Sequence, residues 1–274
     1  MIGALLLLGI PTMISLSLPT SPFALTRDRS PAVVSPQHAS FDTLQAVSRH
    51  VFRETNKVRR ERDLPPLRRD PTLAEVACVH SADMFLRAFF EHINPDGEDP
   101  HDRVARMHRR LVGGVSENLY GQDRFRNEPA ALADQMVEQW MGSPPHRKNI
   151  LSPPSTHLGV CVLQRGTELR ATQVFANIVG YLTPPLPRTA TPGSVLAVSL
   201  EKAGTSSPHL ARYDFWDPQT DRRISGPTLF VDSLRIPDTT GPVHPRFYAV
   251  GAGEYVIYRG PDITIVDAPA VPSQ

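Results

Sequence analysis

The chain has 274 residues, of which 40% are apolar and 21% charged. At about 150 residues per domain this allows one or two domains, with enough apolar material for a core, and excludes a globally disordered chain. Lys plus Arg (29) nearly balances Asp plus Glu (28) for a net charge of +1, so the basic excess of a nucleic-acid binder is missing and no nucleic-acid partner is expected.

Proline is the outlier, with 28 residues, about twice the usual share. Residues 46–183 hold 10 of them and residues 184–274 hold 13. Because proline removes a donor and clashes with the preceding helical turn, the middle block is the candidate helical domain and the last block reads as strands and turns.

In chain order, residues 1–24 open with Met1 to Leu18, free of charge and containing Ala4-Leu5-Leu6-Leu7-Leu8. This reads as a signal peptide ending near Ala24, or as a membrane anchor; a basic leader is lacking and Pro11 disfavours a spanning helix. Residues 25–41 read as a Pro/Ser-rich tether. The protein is therefore expected to be exported, secreted or held at the cell envelope, with membrane contact only through that anchor. Cys78 and Cys161 are an even pair. In an exported chain they suggest a disulfide worth about 4 kcal/mol; as free thiols they would be small buried hydrophobes.

Leu44, Val47, Val51 and Val58 recur at helical spacing and predict a helix from Phe41 to Arg62, with Arg59, Arg60 and Arg62 in water. Asp70-Pro71 starts a second helix with Leu73, Val76, Ala77, His80 and Met84 inward; cap and proline chemistry fit there. Asp99-Pro100 opens a short third helix, and Glu128-Pro129 a fourth with the seam Leu132, Met136 and Trp140. Strands are predicted at 157–163 and 169–179, turning at Arg165-Gly166. His80 reads as a core or hydrogen-bonded histidine, and His101 and His108 as surface residues.

Three segments place titratable side chains beside turn-forming residues: Phe89-Phe90-Glu91-His92, Ser116-Glu117-Asn118-Leu119 after Gly113-Gly114, and Ser143-Pro144-Pro145-His146-Arg147-Lys148-Asn149-Ile150. Two imidazoles and a carboxylate suit Zn²⁺ or another divalent cation with an open position for water; equally, they can hydrogen-bond to one another and hold three loops together. No Gly-x-Ser-x-Gly, His-Glu-x-x-His, phosphate-cradling glycine loop or Cys-x-x-Cys is present, which removes the best-marked hydrolase, metalloprotease and nucleotide-binding classes.

These segments resemble the bacterial form of the CAP superfamily, the cysteine-rich secretory protein, antigen 5 and pathogenesis-related-1 (SCP-like) domain. Asn56 to Leu67, His80-Ser81-Ala82-Asp83-Met84, Glu117-Asn118, Trp140, His146 to Leu151, His157-Leu158-Gly159-Val160 and Thr172-Gln173-Val174-Phe175 carry the resemblance over about half of the chain. It implies an α+β fold, a three-layer α-β-α sandwich over residues 42–183. It also implies a cleft in which His92, Glu117 and His146 match the family's two histidines and an acidic residue. Ser116 stands where the family commonly has glycine, and Ser143 where many eukaryotic members have a second glutamate.

After a Pro-rich linker at 184–194, short strands at 195–200, 211–216, 228–236, 246–250, 254–258 and 263–266 predict a small all-β, sandwich-like domain over 195–268, followed by a tail at 269–274. The expected function is an extracellular or envelope binding module whose ligand is a lipid, envelope polymer or protein, with His92, Glu117 and His146 as metal ligands. The alternative is a metal-assisted peptidase or esterase in which Glu117 is the general base.

Overall fold

The computed structural model describes residues 42–124, 129–204, 209–251 and 254–268; the expected leader, tether and tail (1–24, 25–41 and 269–274) lie outside the described residues. A short β1 (Asp42–Thr43) leads into α1 (Gln45–Arg60), which buries Val47 and Val51. Thr55 and Arg59 continue the same stripe at steps of four, and Arg59 is fully buried rather than in water. Its guanidinium donates to the carbonyls of Pro65 (2.9 Å), Ile150 (2.8 Å), Ser152 (3.0 Å) and Ser155 (3.3 Å). Five donors in one fork can satisfy loop carbonyls that would otherwise be buried without partners. Arg60 and Arg62 are exposed as expected.

β2 (Arg68–Arg69) precedes α2 (Pro71–Leu86), where the Asp70 carboxylate accepts the Leu73 N–H at 2.8 Å and Pro71 takes the first position. Asp99 and Asp102 cap α3 (Pro100–Met107) reciprocally. Next comes β3 (Leu111–Asp123), a 13-residue strand that Gly113-Gly114 and the polar run after them had disguised as a turn. Gly113 is needed there because a Cβ would lie 2.1 Å from the Asn177 carbonyl oxygen. The chain continues through α4 (Pro129–Gly142), α5 (Pro144–Ile150), β4 (His157–Arg165) and β5 (Glu168–Thr183). Short strands follow: β6 (Thr189–Ala190), β7 (Val195–Ala197) and β8 (Ser199–Lys202).

The first sheet runs β1-β4-β5-β3, with β2 also on β4 and β8 also on β5. Alternation along its strands sorts side chains to two faces. Val160, Val162, Ala171 and Phe175 pack with Val47 and Val51 of α1, with Leu132, Met136 and Trp140 of α4, and with Ile150 of α5. Cys161, Leu163, Val174, Ala176 and Ile178 pack with Leu73, Val76 and Phe85 of α2 and Val104 of α3. The result is an α-β-α sandwich in an α+β chain. At Gly159 a Cβ would stand 2.1 Å from the Leu73 backbone, so glycine lets α2 lie directly on β4. A disulfide between Cys78 and Cys161 ties the same two elements across a separation of 83 residues, which the chain-entropy model values at about 4 kcal/mol.

The C-terminal strands are β9 (His209–Asp217), β10 (Arg222–Leu229), β11 (Ser233–Arg235), β12 (Gly241–Gly251), β13 (Glu254–Arg259) and β14 (Ile263–Ile265). They form a second sheet, β10-β9-β12-β14-β6 with β13 on β12, beside a β7–β11 pair. The run predicted as one strand over 195–200 is split between the β7–β11 pair and the first sheet. The run predicted over 228–236 breaks at Asp232, whose φ is 50°.

This all-β region does not close a core on itself. Val112, Val179 and Leu182 of the first sheet share one cluster with Tyr213, Phe215, Phe247 and Ile263, and Arg109 donates to the carbonyls of Leu186, Pro187 and Asp262. His101 and His108, expected at the surface, are instead partly buried. Burial and then the charge of Arg259 push the His101 imidazole below its usual pKa, and His108 stacks on Tyr181 at 5.7 Å between ring centres.

Candidate functional site

Each of the three residues that the resemblance singles out sits on a different kind of element. Glu117 belongs to β3, His146 to α5, and His92 to the turn between α2 and α3. That turn is organised by Asn94, whose side-chain oxygen accepts the N–H groups of Asp96 (3.1 Å) and Glu98 (2.9 Å), the local turn chemistry for which asparagine is favoured.

Alternation on β3 sends the adjacent Glu117 and Asn118 to opposite faces. Toward α2 and α3, Glu117 Oε1 faces His92 Nδ1 at 2.9 Å and Oε2 accepts from Arg103 at 2.8 Å. His80 Nε2 is 3.7 Å from the first oxygen and donates to the Glu91 carbonyl at 3.1 Å, so His80 is the buried, hydrogen-bonded residue its helical stripe predicts. The Glu117 and Arg103 side chains are each 1% exposed, whereas that of His92 is 48% exposed. Arg103 also donates to the carbonyls of His92 (2.9 Å) and Glu98 (2.8 Å). One buried guanidinium therefore both neutralises Glu117 and fixes the turn that carries His92.

Toward α5, Asn118 donates to the His146 carbonyl (3.2 Å) and to Gln173 (3.1 Å), and accepts from Asn149 (2.9 Å). Asn149 also donates to the Glu117 carbonyl at 3.0 Å, and Gln173 passes the chain of bonds to Thr55 at 2.8 Å. The half-buried His146 is thus placed through its backbone. Burial, and next the charge of His92, push its imidazole below the usual histidine pKa.

Burial lowers the His80 pKa to about 4, against the opposing pull of Glu117.

Arg103, Asn149, Gln173 and Thr55 escaped sequence reasoning as members of the site. Arg103 in particular has no local mark, since its partner lies 14 residues away on a strand that was itself hidden. A further set also went unnoticed. Among the described residues, the group of three ligand-type side chains whose donor atoms all lie within 4.8 Å of one another is His50, Glu54 and Asp134, on α1 and α4 rather than in the cleft. Its only sequence signal is the i, i+4 spacing of His50 and Glu54.

The family model for the CAP, cysteine-rich secretory protein family matches residues 52–175. The chain is 30% identical over 145 residues to the uncharacterized protein YkwD of Bacillus subtilis (strain 168), covering 52% of this chain and 53% of that protein. It is 34% identical over 108 residues to the uncharacterized membrane protein YlbC of the same organism, covering 39% of this chain and 29% of that one. The chain thus spans about half the length of the first relative and under a third of the second. Among solved structures, an extracellular protein containing a SCP domain from Bacillus anthracis str. Ames aligns with a TM-score of 0.41 and 30% identity, over 48% of this chain and 40% of that one. Over residues 52–175 the chain therefore matches the CAP, cysteine-rich secretory protein family.

Proposed function

We propose that this chain is an exported binding module whose cleft presents the imidazoles of His92 and His146 to an extracellular ligand, a lipid headgroup, envelope polymer or protein. The observation that carries the proposal is the state of Glu117, buried with one oxygen on His92 and the other on Arg103. A general base must reach the proton it abstracts. A carboxylate already engaged by a buried guanidinium and shut off from water is better suited to holding a neighbour in place.

The donor set suits a divalent ion such as Zn²⁺. A carboxylate only accepts, so His92 Nδ1 is the donor and the Nε2 lone pair is left for a ligand; an imidazole backed by a carboxylate in this way is the usual arrangement behind metal-binding histidines. His92 and His146 would hold the ion, Glu117 would orient His92, and the ion would supply an open coordination position for an oxygen of the ligand. The Cys78–Cys161 disulfide supports export, because such bonds persist in oxidising compartments. Among the described residues no helix is long and apolar enough to cross a membrane.

The test is a Zn²⁺ titration of the full chain followed through the assigned ring signals of His92 and His146 by NMR, alongside a panel of peptide and ester substrates. Shifts of both rings that are lost in His92→Ala are expected, with no turnover. Rings that stay still would end the metal proposal, and hydrolysis that vanishes in Glu117→Gln would overturn the binding role in favour of catalysis.

A further inference from the structure

Outside the cleft, the outer surface of α1 and α4 carries a second constellation. His50 and Glu54 are four residues apart on α1 and so share a face, and α4, which packs along α1, brings Asp134 to the same spot. His50 Nε2 stands 3.7 Å from Glu54 Oε1 and 3.4 Å from Asp134 Oδ1. Both separations exceed the range of about 2.7–3.2 Å for a direct N–H···O bond. The shorter one equals the edge of a tetrahedron, since two ligands each about 2.0–2.1 Å from a central Zn²⁺ lie roughly 3.4 Å apart; the longer one would have to close by a few tenths of an ångström through a rotation of the part-exposed Glu54.

From these distances we propose that His50, Glu54 and Asp134 form a divalent transition-metal site that clamps α1 to α4. Lys57 holds the other oxygen of Glu54 at 3.0 Å, leaving Oε1 aimed into the cluster. Two carboxylates against this one lysine keep the local charge negative, which favours a cation. The side chains are 29%, 20% and 63% exposed for His50, Glu54 and Asp134, so water completes the coordination and no buried ion has to be desolvated. One imidazole with two carboxylates selects Zn²⁺, Co²⁺ or Mn²⁺ over Ca²⁺ and Mg²⁺, which prefer oxygen ligands alone. This site shares no residue with the cleft and does not depend on the function proposed for it.

The deciding experiment measures Zn²⁺ equivalents per chain by equilibrium dialysis, together with the visible absorption of bound Co²⁺, on the full chain and its variants. The His92→Ala/His146→Ala double variant keeps the α1–α4 cluster intact. It is expected to retain one equivalent, the tetrahedral Co²⁺ bands and a metal-dependent rise in Tm. His50→Ala and the surface substitution Asp134→Asn should each weaken that uptake at least tenfold. A double variant that binds nothing, or undiminished uptake in both His50→Ala and Asp134→Asn, overturns the proposal. A cleft that also binds metal shows itself separately, as a second equivalent in the parent chain.

Discussion

Glu117 and Glu54 each face an imidazole, at 2.9 Å from His92 in the first case and 3.7 Å from His50 in the second. The environments behind these two contacts are opposite. Glu117 has lost its hydration and is held by the equally buried Arg103, as a carboxylate in low dielectric must be if it is not to cost several kcal/mol. Glu54 is 20% exposed, accepts from the exposed Lys57 at 3.0 Å, and lies beside a second carboxylate. The difference between the two lies in burial rather than residue type: one carboxylate is shut in on a guanidinium, the other keeps part of its surface in solvent.

Breaking the buried side of this contrast should have the largest effect. Arg103→Met leaves Glu117 desolvated without its cation, and urea denaturation should show a loss of about 3–5 kcal/mol. A loss below about 1 kcal/mol would mean that water reaches Glu117 and that the two sites do not differ as argued.

The next effect comes from His80, beneath the same carboxylate. Its pKa falls from 6.5 unfolded to about 4 folded because burial disfavours the imidazolium. Between those values the unfolded chain binds the extra proton, so stability is fully present above pH 6.5 and is lost as the pH falls toward 4. The loss is roughly 3 kcal/mol from this group. His80→Gln, which retains a donor for the Glu91 carbonyl but cannot titrate, should flatten the acid limb of a stability-against-pH curve; an unchanged limb would place the proton elsewhere.

The smallest effect belongs to the open site. In metal-free protein Asp134→Asn should change stability by no more than about 0.5 kcal/mol, as read from the denaturation midpoint. A larger loss would show Asp134 to be a structural partner of His50 rather than an exposed member of the α1–α4 cluster.

The α+β class and most helix starts were legible from short stretches of residues. Asp70-Pro71 and Asp99-Pro100 act within one helical turn, and Leu132, Met136 and Trp140 mark a buried seam by spacing alone. The three cleft residues were legible only through resemblance, because His92, Glu117 and His146 are tens of residues apart and no periodicity joins them. β3 was not legible: its glycines and polar side chains carry a turn signature, and only the long pairing with β5 makes them a strand. Arg59 was missed for a related reason, since a charged residue on a helix is expected in water until distant loop carbonyls are brought to it.

The amino-acid order alone determined where helices begin, which faces they bury and where the chain turns, because capping, proline geometry and amphipathic spacing act over a few residues. Tertiary structure decided which charges meet. It paired Arg103 with Glu117, set His50 and Glu54 beside Asp134, and merged the C-terminal strands into a core shared with the first sheet. Those outcomes depend on packing between segments far apart in the chain, where the loss of water and the presence of a partner set the energy of every polar group.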